Sequence, residues 1–441
     1  MYFVSKNYKE ALKNFSKAIK LDAKMALAYL HRGQLKVDMG HSFILNKRFK
    51  FEKLNVWQKA MVLGDEINTM QKTFPLIGLL LIFSCSPQEL IEPENIVVIQ
   101  TENVMLENND TDGDPDLKER SKATVLAYFD RLIANGQILV GQHCGDGPNA
   151  TSSYYSDYVD ALADITGREV GIVGADLGFF PSTEYPVQTL IDHWEQGGLV
   201  TVSWHADNPF VSGYDVYYNT VEHKDKINLK SLLRNADYTQ EWISYRTELD
   251  KIAGALQKLK EAGVTVIWRP FHEMNGDFFW WGINAYNNQQ TNEEDYKALW
   301  IDLYNTLTYE YGLDNLIWTY SVIPQTSWNA DVTSYYPGSD YVDLVGMDYY
   351  GVDPDFPDYD ALKTLGKTIV MSESGPSDSN YGNWDMMSLA NTLRGKAAYF
   401  LQWHSWNAAK VSIKDNKNLI EMMNSPRVIT KDEITVTNDL L

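Results

Sequence analysis

Eight short β-rich runs, each ending in polar residues and separated by helical stretches, limit the possible folds of this chain more than any other feature. The runs are ILVGQH (138–143), EVGIVGADLG (169–178), LVTVSWH (199–205), VTVIWRPFHE (264–273), LIWTYSV (316–322), VDLVGMDYY (342–350), TIVMSES (368–374) and AAYFLQWHS (397–405). Helical candidates between them include residues 117–136, 241–263 and 293–312. Parallel strands need crossover connections, so this alternation argues for a parallel sheet. Eight repeats over about 310 residues predict an α/β fold, a (β/α)8 TIM barrel enlarged by loops. A doubly wound open sheet is the alternative, weakened because no GxGxxG follows the first run.

In such a barrel the C-terminal strand ends share one mouth, where the active site lies. Four of the eight histidines fall at those ends: His143, His205, His272 and His404. Asp176, Glu273, Asp348, Tyr350, Glu373 and Trp403 fall there too. Glu273 ends the fourth run and Glu373 the seventh, so the two can face each other across the mouth. Two facing carboxyls are what glycosidic-bond cleavage needs, one protonated to donate to the leaving oxygen and one ionised to attack or stabilise the anomeric carbon. Flat rings suit the weakly apolar C–H faces of sugars. Phe278, Phe279, Trp280, Trp281, Trp403 and Trp406 offer such rings, with half of the FFWW run expected in the core and half lining the cleft.

The net charge of −21 argues against nucleic acid, whose phosphates would be repelled, and suits a neutral partner. With two cysteines and neither CxxC nor HExxH, the chain is not a disulfide scaffold, and no metal or cofactor is expected. Charge is uneven: residues 1–85 hold 14 Lys/Arg against 6 Asp/Glu, and Trp57 is the only one of thirteen tryptophans before residue 85. Within 1–69, Tyr8, Ala11, Phe15, Ala18, Ile19, Ala26, Tyr29 and Gly33 resemble one tetratricopeptide repeat; a lone copy cannot bury its face, since about three are needed. Residues 70–85 then place Lys72, the apolar FPLIGLLLIF and Cys85 in the order of a signal peptide. That apolar run is too short to span a bilayer, which takes about 20 residues. Its end, IFSC, resembles a bacterial lipobox, implying lipidation of Cys85 and an exported protein held to a membrane only by its lipid, at the outer membrane or cell surface. Met70 then reads as the start, with 1–69 an upstream extension or fusion. Residues 86–117 read as an acidic linker, 118–425 as the catalytic domain and 426–441 as a C-terminal tail.

The motifs WRPFHEMNG and FFWWG, with SWH before them and GMDYYG and SESG after, resemble glycoside hydrolase family 26. That family, best known for endo-β-1,4-mannanases, belongs to the retaining clan of (β/α)8 glycosidases. The resemblance implies Glu273 as acid/base and Glu373 as nucleophile. It also implies that His272 and His205 hold sugar hydroxyls and the carboxyls, that the Tyr350 hydroxyl sits near the nucleophile with Asp348 beside it, and that Trp403 underlies the sugar at the cut. Trp281, Phe278 and His143 complete the expected substrate-binding set. His404 stands where some members carry arginine, and Phe278 where tryptophan is common; both bear on substrate preference near the cut. The implied activity is cleavage of β-1,4-mannosidic bonds in a mannan-type polysaccharide or oligosaccharide by a monomer. A β-1,3-xylanase or mixed-linkage glucanase of the same family, a non-catalytic glycan-binding lipoprotein and a metal hydrolase are the alternatives.

Overall fold

The computed structural model describes residues 120–178, 185–217, 226–283, 293–326 and 330–436. The expectations for 1–69, 70–85 (with Cys85) and 86–117 lie outside the described residues. Eight strands close into a barrel: β1 (Ile138–Asp146), β2 (Ile172–Asp176), β3 (Leu199–Trp204), β4 (Val266–Pro270), β5 (Leu316–Val322), β6 (Leu344–Gly351), β7 (Thr368–Pro376) and β8 (Tyr399–Gln402). Each pairs in parallel with its sequence neighbour, and β1 pairs with both β2 and β8, which closes the ring. The (β/α)8 expectation is met. In β2, β3, β4, β5 and β8 every residue is buried, because strands of a barrel have side chains of the lining on one face and helices on the other.

The helices follow the same logic. Gln240–Glu261 opens where the Thr239 side chain accepts from the Trp242 amide, and its last turn carries Lys258 and Lys260 against the negative end of the helix dipole. It buries Tyr245, Leu249, Ile252, Ala253, Leu256 and Leu259, spaced three or four apart along one stripe. Gly263, at φ +76°, then turns the chain into β4. The helix Glu293–Asn305 continues into a π-helical turn, Thr306–Glu310, matching the long candidate at 293–312.

The domain does not end at residue 425. A ninth strand, β9 (Val428–Ile429), pairs in parallel with Ile138 and Leu139 of β1. Val428 and Thr430 are buried, and Arg168 is ion-paired with Asp432 and Glu433. The segment expected to be a tail from 426 is therefore part of the domain through Val436, at least along its described length. Two apolar strand residues followed by a polar run carry too little periodicity to be told from a tail.

Candidate active site

Arg269 organises the mouth of the barrel. It lies on β4, fully buried, and its two terminal nitrogens diverge: Nη1 donates to Asp348 Oδ2 at 2.8 Å, and Nη2 donates to Glu373 Oε1. Asp348 and Glu373 sit opposite each other in the register of β6 and β7, so one planar guanidinium can reach both. Glu373 accepts a second bond from the Tyr350 hydroxyl at 2.7 Å, and Asp348 one from Ser321 Oγ at 2.8 Å. His272 Nε2 is 3.8 Å from Glu373 Oε1.

Glu273 enters by a backbone device. Just past β4, Phe271 and Glu273 take φ of +46° and +57°, left-handed values that L-residues rarely adopt. The Glu273 amide is tied to the Ser321 carbonyl at 2.9 Å, which holds this turn against β5. Its carboxyl is thereby placed against Glu373 and Asp348, while the two terminal nitrogens of Arg269 are bonded to those other acids.

Electrostatics then separate the two glutamates. Burial lifts both above the ordinary carboxyl range. For Glu273, repulsion by Glu373 and Asp348 and a hydrogen bond with Asp348 add to burial and take it well above, against the opposing pull of Arg269. For Glu373, burial is countered by Arg269 and the Tyr350 hydroxyl, leaving it nearer neutrality, at about 7. Carboxyls crowded in this way cannot all ionise together, and the proton goes to the one without a bonded cation. The proton is therefore held more firmly on Glu273, and Glu373 is the first of the two to ionise.

A second chain of bonds supports the first. His205 and His272 are hydrogen-bonded Nε2 to Nε2 at 3.0 Å, and His205 Nδ1 donates to Asp176 Oδ2 at 2.7 Å. Burial alone would raise Asp176, but His205 and the Ser203 hydroxyl hold it well below the usual carboxylate range. A Cβ on Gly178 would collide with the His205 backbone, so glycine there lets the Gly178 amide donate to Asp176 Oδ1 at 2.6 Å. Burial, with Arg269 and His205 nearby, pushes His272 well below the ordinary histidine value, so it is neutral.

Glu273, Glu373, His205, His272, Asp348, Tyr350 and Trp403 are all brought together at the mouth, as expected. The aromatic run departs from expectation. Trp281 is 0% exposed and its Nε1 donates to the His272 carbonyl at 2.7 Å; Trp280 donates to the Ala206 carbonyl. Phe279 is also buried, leaving only Phe278 of the four half-exposed. Trp281 is therefore a brace behind the wall, not a sugar platform, because an indole N–H buried among rings must find a backbone acceptor. His143 is likewise corrected. It is 1% exposed, stacked on Trp403 with centroids 3.6 Å apart, and lies behind that ring. Trp403 consequently has only its opposite face to offer a sugar.

Sequence reasoning assigned no role to Arg269. A signal existed: an arginine inside the apolar run VTVIWRPFHE must be buried, and a buried guanidinium requires acidic partners. Tyr217 was also missed; it is 36% exposed, stacks on Phe279 at 5.5 Å, and feels the carboxyls of both Glu273 and Glu373. His272, Asp348 and Glu373 offer metal-ligating atoms within 4.8 Å of one another, but Arg269 already bridges the two carboxylates there.

The chain resembles known proteins in sequence and in fold. Over 318 residues the chain is 34% identical to mannan endo-1,4-beta-mannosidase A and B of Caldalkalibacillus mannanilyticus, covering 68% of this chain but 58% of that protein. Over 377 residues it is 31% identical to the mannan endo-1,4-beta-mannosidase of Bacillus subtilis (strain 168), covering 81% of this chain and 95% of that protein. Among solved structures, a Bacillus subtilis mannanase superimposes with a TM-score of 0.61 at 29% identity, covering 73% of this chain and 96% of that one. The model of glycosyl hydrolase family 26 matches residues 114–433, the whole barrel with its ninth strand, and the chain belongs to that family.

Proposed function

We propose that this protein is an endo-acting glycoside hydrolase that cleaves β-1,4-mannosidic bonds with retention of configuration. The observation that carries the reading is the unequal setting of two carboxyls at one barrel mouth: Glu373 bonded to Arg269 and Tyr350, Glu273 pressed against acids. Glu373, ionised, attacks the anomeric carbon. Glu273 gives its proton to the leaving oxygen, and a covalent glycosyl-enzyme forms. Water then enters with Glu273 as base, its proton passing to Glu273, and Glu373 is released. As Glu373 loses charge on forming the ester, its repulsion on Glu273 falls, which readies Glu273 to ionise during the first step. Mannan as substrate is supported by what the relatives above are named for. The test is hydrolysis of linear and galactose-substituted mannans, xylan and mixed-linkage glucan by wild type, Glu273→Gln and Glu373→Gln, with product size and anomeric configuration followed by NMR. Mannan cut internally with retention, and lost in both variants, supports the reading; inversion, or activity surviving Glu373→Gln, sinks it.

We further propose that the mature chain is exported and lipid-anchored through Cys85, acting as a monomer on polysaccharide at the outer membrane or cell surface. The support is the order Lys72, FPLIGLLLIF, Cys85 ahead of an acidic tether, and a site built from one chain. Cys85→Ala should move the protein out of the detergent-soluble membrane fraction, and an unchanged distribution would refute the anchor.

A further inference from the structure

The strand that carries Glu373 holds one residue more than its neighbours. Against β6 the register of β7 slips by one, with Met347 opposite Met371 and Asp348 opposite Glu373. The same slip occurs against β8, where Phe400 faces Met371 and Gln402 faces Ser374. Ser372 lies inside both slips, so β7 bulges there relative to both neighbours. In a regular strand, consecutive side chains alternate between faces. Here Ser372 Oγ bonds Ser321 Oγ while Glu373 bonds Arg269, and Ser321 and Arg269 both bond Asp348. Two successive side chains thus reach the mouth, and the bulge is what turns Glu373 there.

Pairing resumes at Ser374, and a side-chain bond closes the bulge at that point. Ser374 Oγ donates to Gln402 Oε1 at 2.8 Å, and the Ser374 carbonyl accepts from the Trp403 amide at 2.9 Å. The Gln402 amide cannot flip, because its Nε2 donates to the Val411 carbonyl at 2.6 Å and a carbonyl only accepts. Gln142, opposite Gln402 in the register of β1 and β8, anchors it from the other side. Its Nε2 donates to the Gln402 and Trp403 carbonyls at 3.1 and 3.2 Å, and its Oε1 accepts from the Ile413 amide at 3.0 Å. Gln142, Gln402 and Ser374 are all fully buried, so water does not replace a bond lost among them.

We infer that Gln402 is a positioning residue for the reaction: its Oε1 closes the β7 bulge at Ser374 and so fixes the aim of Glu373, with Gln142 holding it in place. The inference rests on the proposed glycosidase reading, in which Glu373 attacks. It adds a residue that acts through the strand and touches neither the sugar nor the reacting atoms.

The experiment measures kcat and KM on whichever glycan of the panel wild type cuts, at a temperature well below the Tm of every variant. Ser374→Ala and Gln402→Met each remove the bond that closes the bulge. Each should lower kcat about 3- to 10-fold with KM near wild type, since the aim of the nucleophile changes and the sugar's seat does not. The double variant should fall no further than Gln402→Met alone, because both changes delete one shared bond. Gln402→Glu keeps an acceptor for Ser374 but has a donor for the Val411 carbonyl only when protonated. Its kcat relative to wild type should therefore rise as pH falls, a rescue that lost packing would not produce. If Gln402→Met does not fold, Ser374→Ala and Gln402→Glu carry the comparison. Unchanged kcat in Ser374→Ala, or losses that multiply in the double variant, overturns the inference and leaves the glycosidase reading standing. Inactivity of wild type on every glycan overturns both.

Discussion

The Nε2 atoms of His205 and His272 lie 3.0 Å apart, so only one of the two nitrogens can carry the hydrogen between them. The choice is biased from below, where Asp176 accepts from His205 Nδ1 and so fixes one side of that ring. Asp176→Asn can offer either an oxygen or an NH2 group at that place, and the order of protons along the chain is lost. Activity should fall roughly 10- to 100-fold, by analogy with removal of the carboxylate that orients a metal-bound histidine. kcat measured beside an unchanged far-UV circular dichroism spectrum checks it.

Glu273 gains from the fold in its protonated form, since burial and the Glu373 and Asp348 carboxyls raise it well above 4.5. Its contribution to stability is therefore complete below the unfolded value and is lost as pH rises through the folded one. Glu273→Gln removes that loss. Its Tm should exceed wild type by about 2–4 °C at pH 8 and show no gain at pH 4. A gain that is larger at pH 4 would contradict the assignment.

Asp348 repels both catalytic carboxyls, and its removal lets protons leave them more easily. The pH profile of kcat/KM for Asp348→Asn, normalised to its maximum, should shift to lower pH on both limbs. Initial rates across a constant-ionic-strength buffer series measure this.

Arg269 is buried with two anionic partners, so its loss strands charge rather than merely removing contacts. Arg269→Met should cost about 3–5 kcal/mol, the scale for breaking one side of a buried ion pair. Urea denaturation gives the difference directly. A cost below 1 kcal/mol, the scale of an exposed pair, would mean that the network is solvated.

Trp281 and Trp406 should behave as opposites. Trp281→Phe leaves the His272 carbonyl without its donor and should cost about 1–3 kcal/mol in stability and act on kcat. Trp406→Ala, on the exposed rim, should raise KM with kcat and Tm near wild type. Steady-state kinetics with a thermal melt separates the two.

The barrel was legible because seven of the eight runs carry their own polarity: an apolar stretch with a histidine, glutamate or aspartate near its end reads the same way wherever it sits in the chain. Parallel strands then bring all those ends to one mouth, which is why Glu273, Glu373, Asp348 and His205 could be grouped before any distance was known. The short strand β9 was not legible, because two residues have no period and their pairing with Ile138 and Leu139 is made almost 300 positions away.

What the sequence by itself determined is the fold class, the face that works and the pair of glutamates on it, since these follow from local alternation and chain direction. Only the tertiary structure decided which rings meet solvent and which acid holds its proton more firmly. Each of these depends on neighbours distant in the chain: Trp280 is turned inward by the Ala206 carbonyl, and Glu373 ionises first because Arg269 reaches across from β4. Burial and charge are sums over all such neighbours, and no local pattern along the chain contains them.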